Sequence, residues 1–128
     1  MLTGRGGLID GADAPATNSV LKVPVAGNHS GEPGYTAGAF ASSFTTQPYR
    51  WNLDYVVATT GDTMTFYYDK ETNRYNRAGA TPASYDRAAT LTGIFYGERK
   101  GQEANNPAAK VTFSTAERCD PAISADCA

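Results

Sequence analysis

At 128 residues the chain is long enough for one domain or a piece of a larger one, and its net charge of -2, with no Lys/Arg cluster, offers no footprint for nucleic acid. No apolar run approaches the roughly 20 residues of a membrane span, and the first residues lack the charged region and apolar stretch of a signal peptide. Leu, Ile, Val and Phe together number only 19, so the core is expected to be thin and to lean on eight Tyr, five Phe and one Trp.

Residues 1–18 hold four Gly and one Pro and are expected to form a flexible lead-in. Residues 19–25 are rich in Val and predict a strand, with Pro24 placing it at an edge or ending it. Residues 26–38 carry four Gly and one Pro and predict a loop. Residues 39–44 are ambiguous between strand and turn.

The strongest local pattern runs through residues 49–69. Trp51, Leu53, Tyr55 and Val57 alternate with Asn52, Asp54 and Val56, the period of a strand with one buried face. A turn of Thr59, Thr60, Gly61 and Asp62 follows, and Met64, Phe66 and Tyr68 alternate again beyond it. A four-residue loop at 59–62 predicts a hairpin with Val57 opposite Met64, Tyr55 opposite Phe66 and Leu53 opposite Tyr68. It also sets Arg50 opposite Glu71. Residues 90–96 and 110–115 predict two further strands, joined by a polar loop at 97–109. Residues 116–128 form a tail with both cysteines. The expected class is all-β, or mainly β: antiparallel hairpins with long Gly/Pro-rich loops, in one domain or domain fragment over 19–115.

Little chemistry-bearing material stands out. Cys119 and Cys127 fit a disulfide pinning the tail, which implies an oxidising compartment; the alternative is two free thiols. Soft ligands for a metal are lacking, and no cofactor site is expected. His29 lies in a loop with only Glu32 near it in sequence, which favours a solvated histidine over a catalytic base. Asn28-His29-Ser30 matches the glycosylation acceptor pattern, which arises often by chance. Asp54, Asp69 and Glu71 lie around the hairpin, where solvated carboxylates outweigh a glycosidase pair. Asp10 and Asp13 resemble half of a calcium loop without its remaining ligands. Trp51, Tyr55, Phe66 and Tyr68 fall on one predicted face, which serves as a core face or as a stacking platform for carbohydrate; the core outweighs the platform. The residues point to a non-catalytic module.

The hairpin resembles a known family. Tyr49-Arg50-Trp51-Asn52-Leu53-Asp54-Tyr55-Val56-Val57, a Gly-bearing turn, and then Met64 through Tyr75 are similar to the region ahead of the YD repeats in secreted bacterial RHS-repeat proteins. Thr17-Asn18-Ser19-Val20, Val23-Pro24-Val25, Glu32-Pro33 and Ser42-Ser43 follow that family's order upstream, as do Ser84-Tyr85-Asp86-Arg87, Tyr96-Gly97 and Ala116-Glu117-Arg118-Cys119 downstream. The chain departs from the pattern at Gly34 and Phe44, where the family is expected to have cysteine, at its turn, where Ala58-Thr59-Thr60-Gly61-Asp62 replaces Asp-Pro-x-Gly-Asn, and at Ala88-Ala89-Thr90, where Gly-Gly-Tyr is expected. The resemblance implies a β-rich shell that encloses a variable toxin, of which this stretch is non-enzymatic scaffold. It also implies a secreted or cell-surface location, with further repeat segments or self-association through edge strands as the partners.

Overall fold

The structure, a computed structural model, describes residues 16–77, 82–102 and 107–116. Among them the chain is mainly β, with six strands, all paired antiparallel, and one 3-10 turn at Phe40–Ser42. β1 (Val20–Ala26) and β2 (Phe44–Trp51) form a two-stranded sheet. β3 (Tyr55–Val57), β4 (Asp62–Tyr75), β5 (Ala83–Arg99) and β6 (Ala109–Thr112) form a four-stranded sheet in that order. The antiparallel, mainly β class expected from the sequence is the class observed.

The hairpin is placed where the alternation puts it, but its register differs by one residue. Tyr55 opposes Thr65, Val56 opposes Met64 and Val57 opposes Thr63. The reason lies in the turn. Ala58 N–H donates to Asp62 O (2.8 Å) and Gly61 N–H to Ala58 O (2.9 Å), closing a loop of Thr59, Thr60 and Gly61. Gly61 takes φ +87°, the left-handed conformation that ends a three-residue hairpin loop. A one-residue shift moves every side chain to the other face. Tyr55 therefore lies on the Thr63/Thr65 face, while Val56 joins Met64, Phe66 and Tyr68 on the opposite one.

The first arm is also interrupted. β2 ends at Trp51 and β3 begins at Tyr55. Asn52 N–H donates to Ser19 O (2.9 Å), so the chain passes from one sheet to the other between them. Trp51 and Leu53 are consequently not hairpin residues. Arg50 donates to Asn52 Oδ1 (3.2 Å), and the predicted partner Glu71 pairs instead with Arg87 (2.8 Å).

β4 and β5 pair over the whole length of β4, and β5 is longer by three residues, 17 against 14. The register shifts at Thr63/Met64, Tyr67/Tyr68 and Glu71/Thr72 leave Gly97, Thr92 and Arg87 as the extra β5 residues. Gly97 has φ +80°, and a Cβ on it would meet Ala108 Cβ at 2.8 Å. Gly97→Ala is expected to cost about 1–2 kcal/mol through the left-handed backbone alone, read as a lowered urea midpoint. The same substitution at Gly38, where a Cβ meets nothing within 4 Å, carries the backbone cost without the clash.

The two sheets meet along β1 and β5. The apolar core is thin: Val20 and Leu21 are the buried hydrophobic residues among those described, and the buried polar ones are Thr17, Ser19, Ser43, Thr63, Thr65 and Glu98. Thr17 lies inside the predicted lead-in, yet the segment it belongs to extends the edge of β4. Tyr68 N–H donates to Thr17 O (2.9 Å), and Asn18, at φ 57°, returns a bond from its side-chain amide to Tyr68 O (3.2 Å).

Candidate functional site

Two polar clusters hold the sheets together. In the first, the hydroxyls of Thr17 and Ser19 donate to Asp54 Oδ2 at 3.0 and 2.8 Å. In the second, Lys70 Nζ donates to Asp86 Oδ2 (2.9 Å) and to the Val20 carbonyl, and Lys22 N–H donates to the same Asp86 oxygen at 2.9 Å. The Lys70 and Asp86 side chains are only 16% and 15% exposed. One carboxylate thereby ties β1, β4 and β5. A bulge in β2 between its pairings with Leu21 and Lys22 leaves Tyr49 as the extra residue. Its hydroxyl reaches the Asp86 carbonyl at 2.8 Å.

In both clusters the carboxylate already accepts from groups of its own chain. Thr17 and Ser19 are moreover fully or almost fully buried. Asp54, Asp69 and Glu71 are not brought together: Asp54 belongs to the first cluster, Glu71 pairs with Arg87, and Asp69 is exposed on β4.

Asn28 and His29 are exposed in the loop after β1, where both backbone N–H groups donate to Glu32 Oε2. Those two bonds, with a smaller share from the His29 charge, hold the Glu32 carboxyl below its usual range. Among the described residues no group of three or more His, Cys, Asp or Glu could hold a metal ion. No helix there is long and apolar enough to cross a membrane. Cys119, Cys127, Asp10 and Asp13 lie outside the described residues.

The aromatic residues are more informative. Trp51, at the end of β2, is 64% exposed, and Leu53 beside it is 57% exposed. Tyr55, Phe66 and Tyr68 are half-buried. Tyr68 donates its hydroxyl to Leu53 O at 2.7 Å, and Tyr67 stacks on Phe95 with ring centroids 4.9 Å apart. The four aromatic residues expected on one face are therefore split. Trp51 lies on the solvent side of the crossing, Tyr55 on one sheet face, and Phe66 with Tyr68 on the other. Two shallow depressions flank these strands, one of about 290 Å³ lined by Asn18, Tyr67, Tyr68, Thr92 and Phe95 and one of about 310 Å³ lined by Val56, Met64 and Tyr96.

Burial raises the phenol pKa of both Tyr67 and Tyr68, with Glu98 adding to the first and Asp54 to the second. A phenol whose pKa is higher folded than unfolded binds its proton more tightly when folded. Its contribution is complete below the unfolded value of 10.0 and is lost as the pH rises through the folded values. The urea midpoint is expected to hold to about pH 10 and fall above it. Tyr68→Phe should make that alkaline fall shallower.

Among the described residues these features define a mainly β protein of two antiparallel sheets, tied to each other through Asp86 and Lys70, whose aromatic residues are half-buried or exposed. No known family matches the chain, and neither a curated protein nor a solved structure matches it.

Proposed function

We propose that the chain is a non-catalytic structural segment of a secreted RHS/YD-repeat protein, acting in encapsulation or partner contact. The observation that carries this is the imbalance between buried and exposed apolar groups. Val20 and Leu21 are the buried hydrophobic residues described, while eleven described large hydrophobic residues between Val25 and Phe113 are 37–64% exposed. A self-sufficient domain reverses that balance, whereas a slice of a larger β structure leaves its core to be completed by its neighbours. Tyr85 and Asp86, part of the family-like run, fit a scaffold role because Asp86 is spent on sheet-to-sheet contact. The test is near-UV circular dichroism and thermal unfolding of the chain over a concentration series. A weak aromatic signal and a broad transition that sharpens with concentration support the scaffold. A sharp transition that ignores concentration overturns it.

One observation favours a second reading, a small carbohydrate-binding module. Trp51 is the most exposed of the large hydrophobic residues described, and its ring can stack on a sugar. A blue shift of Trp51 emission on titration with soluble glycans would favour this alternative, and an unchanged spectrum would count against it.

A further inference from the structure

We infer that the Lys70, Asp86 and Tyr75 side chains stand in for a neighbouring strand and close the outward edge of β1 to strand addition. This role belongs to the three side chains whether or not the chain is a scaffold segment. β1 pairs with a strand, β2, on one side only. Antiparallel partners alternate between pairs that exchange backbone hydrogen bonds and pairs that do not. Gly27 N–H donates to Ser43 O (2.8 Å) and Asn52 N–H to Ser19 O (2.9 Å), so the odd-numbered residues of this stretch turn their backbone groups toward β2. Val20, Lys22 and Pro24 turn theirs away from it. The bulge adds Tyr49 to β2 and leaves the alternation of β1 unbroken.

An outward edge of this kind is a row of amides and carbonyls that another strand can take up. On β1 the row is occupied. Val20 O accepts from Lys70 Nζ, Lys22 N–H donates to Asp86 Oδ2 (2.9 Å), and Pro24 O accepts from the Tyr75 hydroxyl (3.5 Å). Along β1 these groups run acceptor, donor, acceptor. The side chains facing them run donor, acceptor, donor, the complement that a strand would supply. Pro24 has no N–H, so no donor is left to cover at that position. Lys70 and Tyr75 come from β4 and Asp86 from β5, and the Lys70–Asp86 ion pair (2.9 Å) sets two of the caps against each other.

The residue types matter as much as the contact. Lys70 and Asp86 are only 16% and 15% exposed, so water has little room to serve in their place. An apolar side chain at position 86 would fill similar space and leave the Lys22 amide without an acceptor. Water or the carbonyl of another strand would then have to satisfy it. The ionic contact between the sheets therefore does more than stabilise them: it keeps β1 from acting as a free edge.

Two double variants isolate that role. Lys70→Met with Asp86→Asn and Lys70→Met with Asp86→Leu are both uncharged at the pair and similar in size, but only the first keeps an acceptor for the Lys22 amide. Hydrogen exchange of the full chain is followed residue by residue over a concentration series. In the natural chain and in the Asn variant, the Lys22 amide is expected to exchange at one rate at every concentration, whatever other surfaces associate. In the Leu variant it should exchange at least about tenfold faster at low concentration. It should regain protection as the concentration rises, with larger species in sedimentation velocity. Lys70→Met with Asp86→Val, shorter and with the branching a strand favours, takes the place of the Leu variant if that fails to fold. A Lys22 amide whose protection grows with concentration in the natural chain overturns the inference, because the edge is then open. An apolar variant that keeps the natural far-UV circular dichroism and matches the Asn variant at every concentration overturns it as well.

Discussion

Replacing Asp86 with alanine is expected to destabilise the chain by about 2–3 kcal/mol, measured as a fall in the urea midpoint. The size follows from what the carboxylate holds. It accepts from Lys70 Nζ and from the Lys22 amide, both at 2.9 Å, where water has little access. Removing it leaves an ammonium group that is only 16% exposed without its counter-charge, and an amide donor without its acceptor. Glu71→Ala provides the contrast. The Glu71–Arg87 pair has the same charge types and a similar separation, 2.8 Å, but its side chains are 55% and 61% exposed. Such a pair contributes about 0–1 kcal/mol. The two substitutions thus test whether burial or ion pairing sets the cost. The combined Lys70→Met and Asp86→Leu variant should recover part of the loss, because it removes the desolvated charges together. A cost at Asp86 no larger than at Glu71 would show that the two sheets are not joined through this carboxylate.

What was legible in the sequence follows the range of the interactions responsible. The alternation of Met64, Phe66 and Tyr68 is a local signal, and a strand stands there. Register depends on whether the loop ends at Gly61 or Asp62, a matter of one left-handed glycine, and an aromatic face was misplaced as a result. Residues 83–89 gave no strand signal, since Ala83, Ala88 and Ala89 have low β-propensity. Pairing with β4 imposes the strand on them: Ala83 opposes Tyr75, and Ala88 opposes Glu71. The break at residues 52–54 is also long-range in origin. Its alternation continues from Trp51 to Val57, but Ser19 takes the Asn52 amide and Thr17 and Ser19 hold the Asp54 carboxylate from more than thirty residues away. The same holds for the polar clusters. Asp86 is the single carboxylate of residues 83–89, and only the bulge at Arg87 and the approach of β1 set it against Lys70 and Lys22.

Leu21→Ala is expected to be among the most damaging single substitutions in the described chain, at about 2–4 kcal/mol. Leu21 is 0% exposed and is the largest fully buried side chain described. In a well-filled core its loss would be shared among many neighbours; here Val20, at 4% exposed, is the other buried hydrophobic residue. The cavity opens beside the register shift between Leu21 and Lys22, where the β1–β2 pairing is already irregular and Lys22 N–H is committed to Asp86. The backbone there has little freedom to collapse into the space, which favours the upper part of the range. Leu21→Ala should therefore loosen both sheets together. Hydrogen exchange would show faster exchange at Lys22 and Arg50 and also at the β5 amides facing β1. If exchange quickened in β1 and β2 alone, the two sheets would be independent units, and the four-stranded sheet would have to be held by its own ladder.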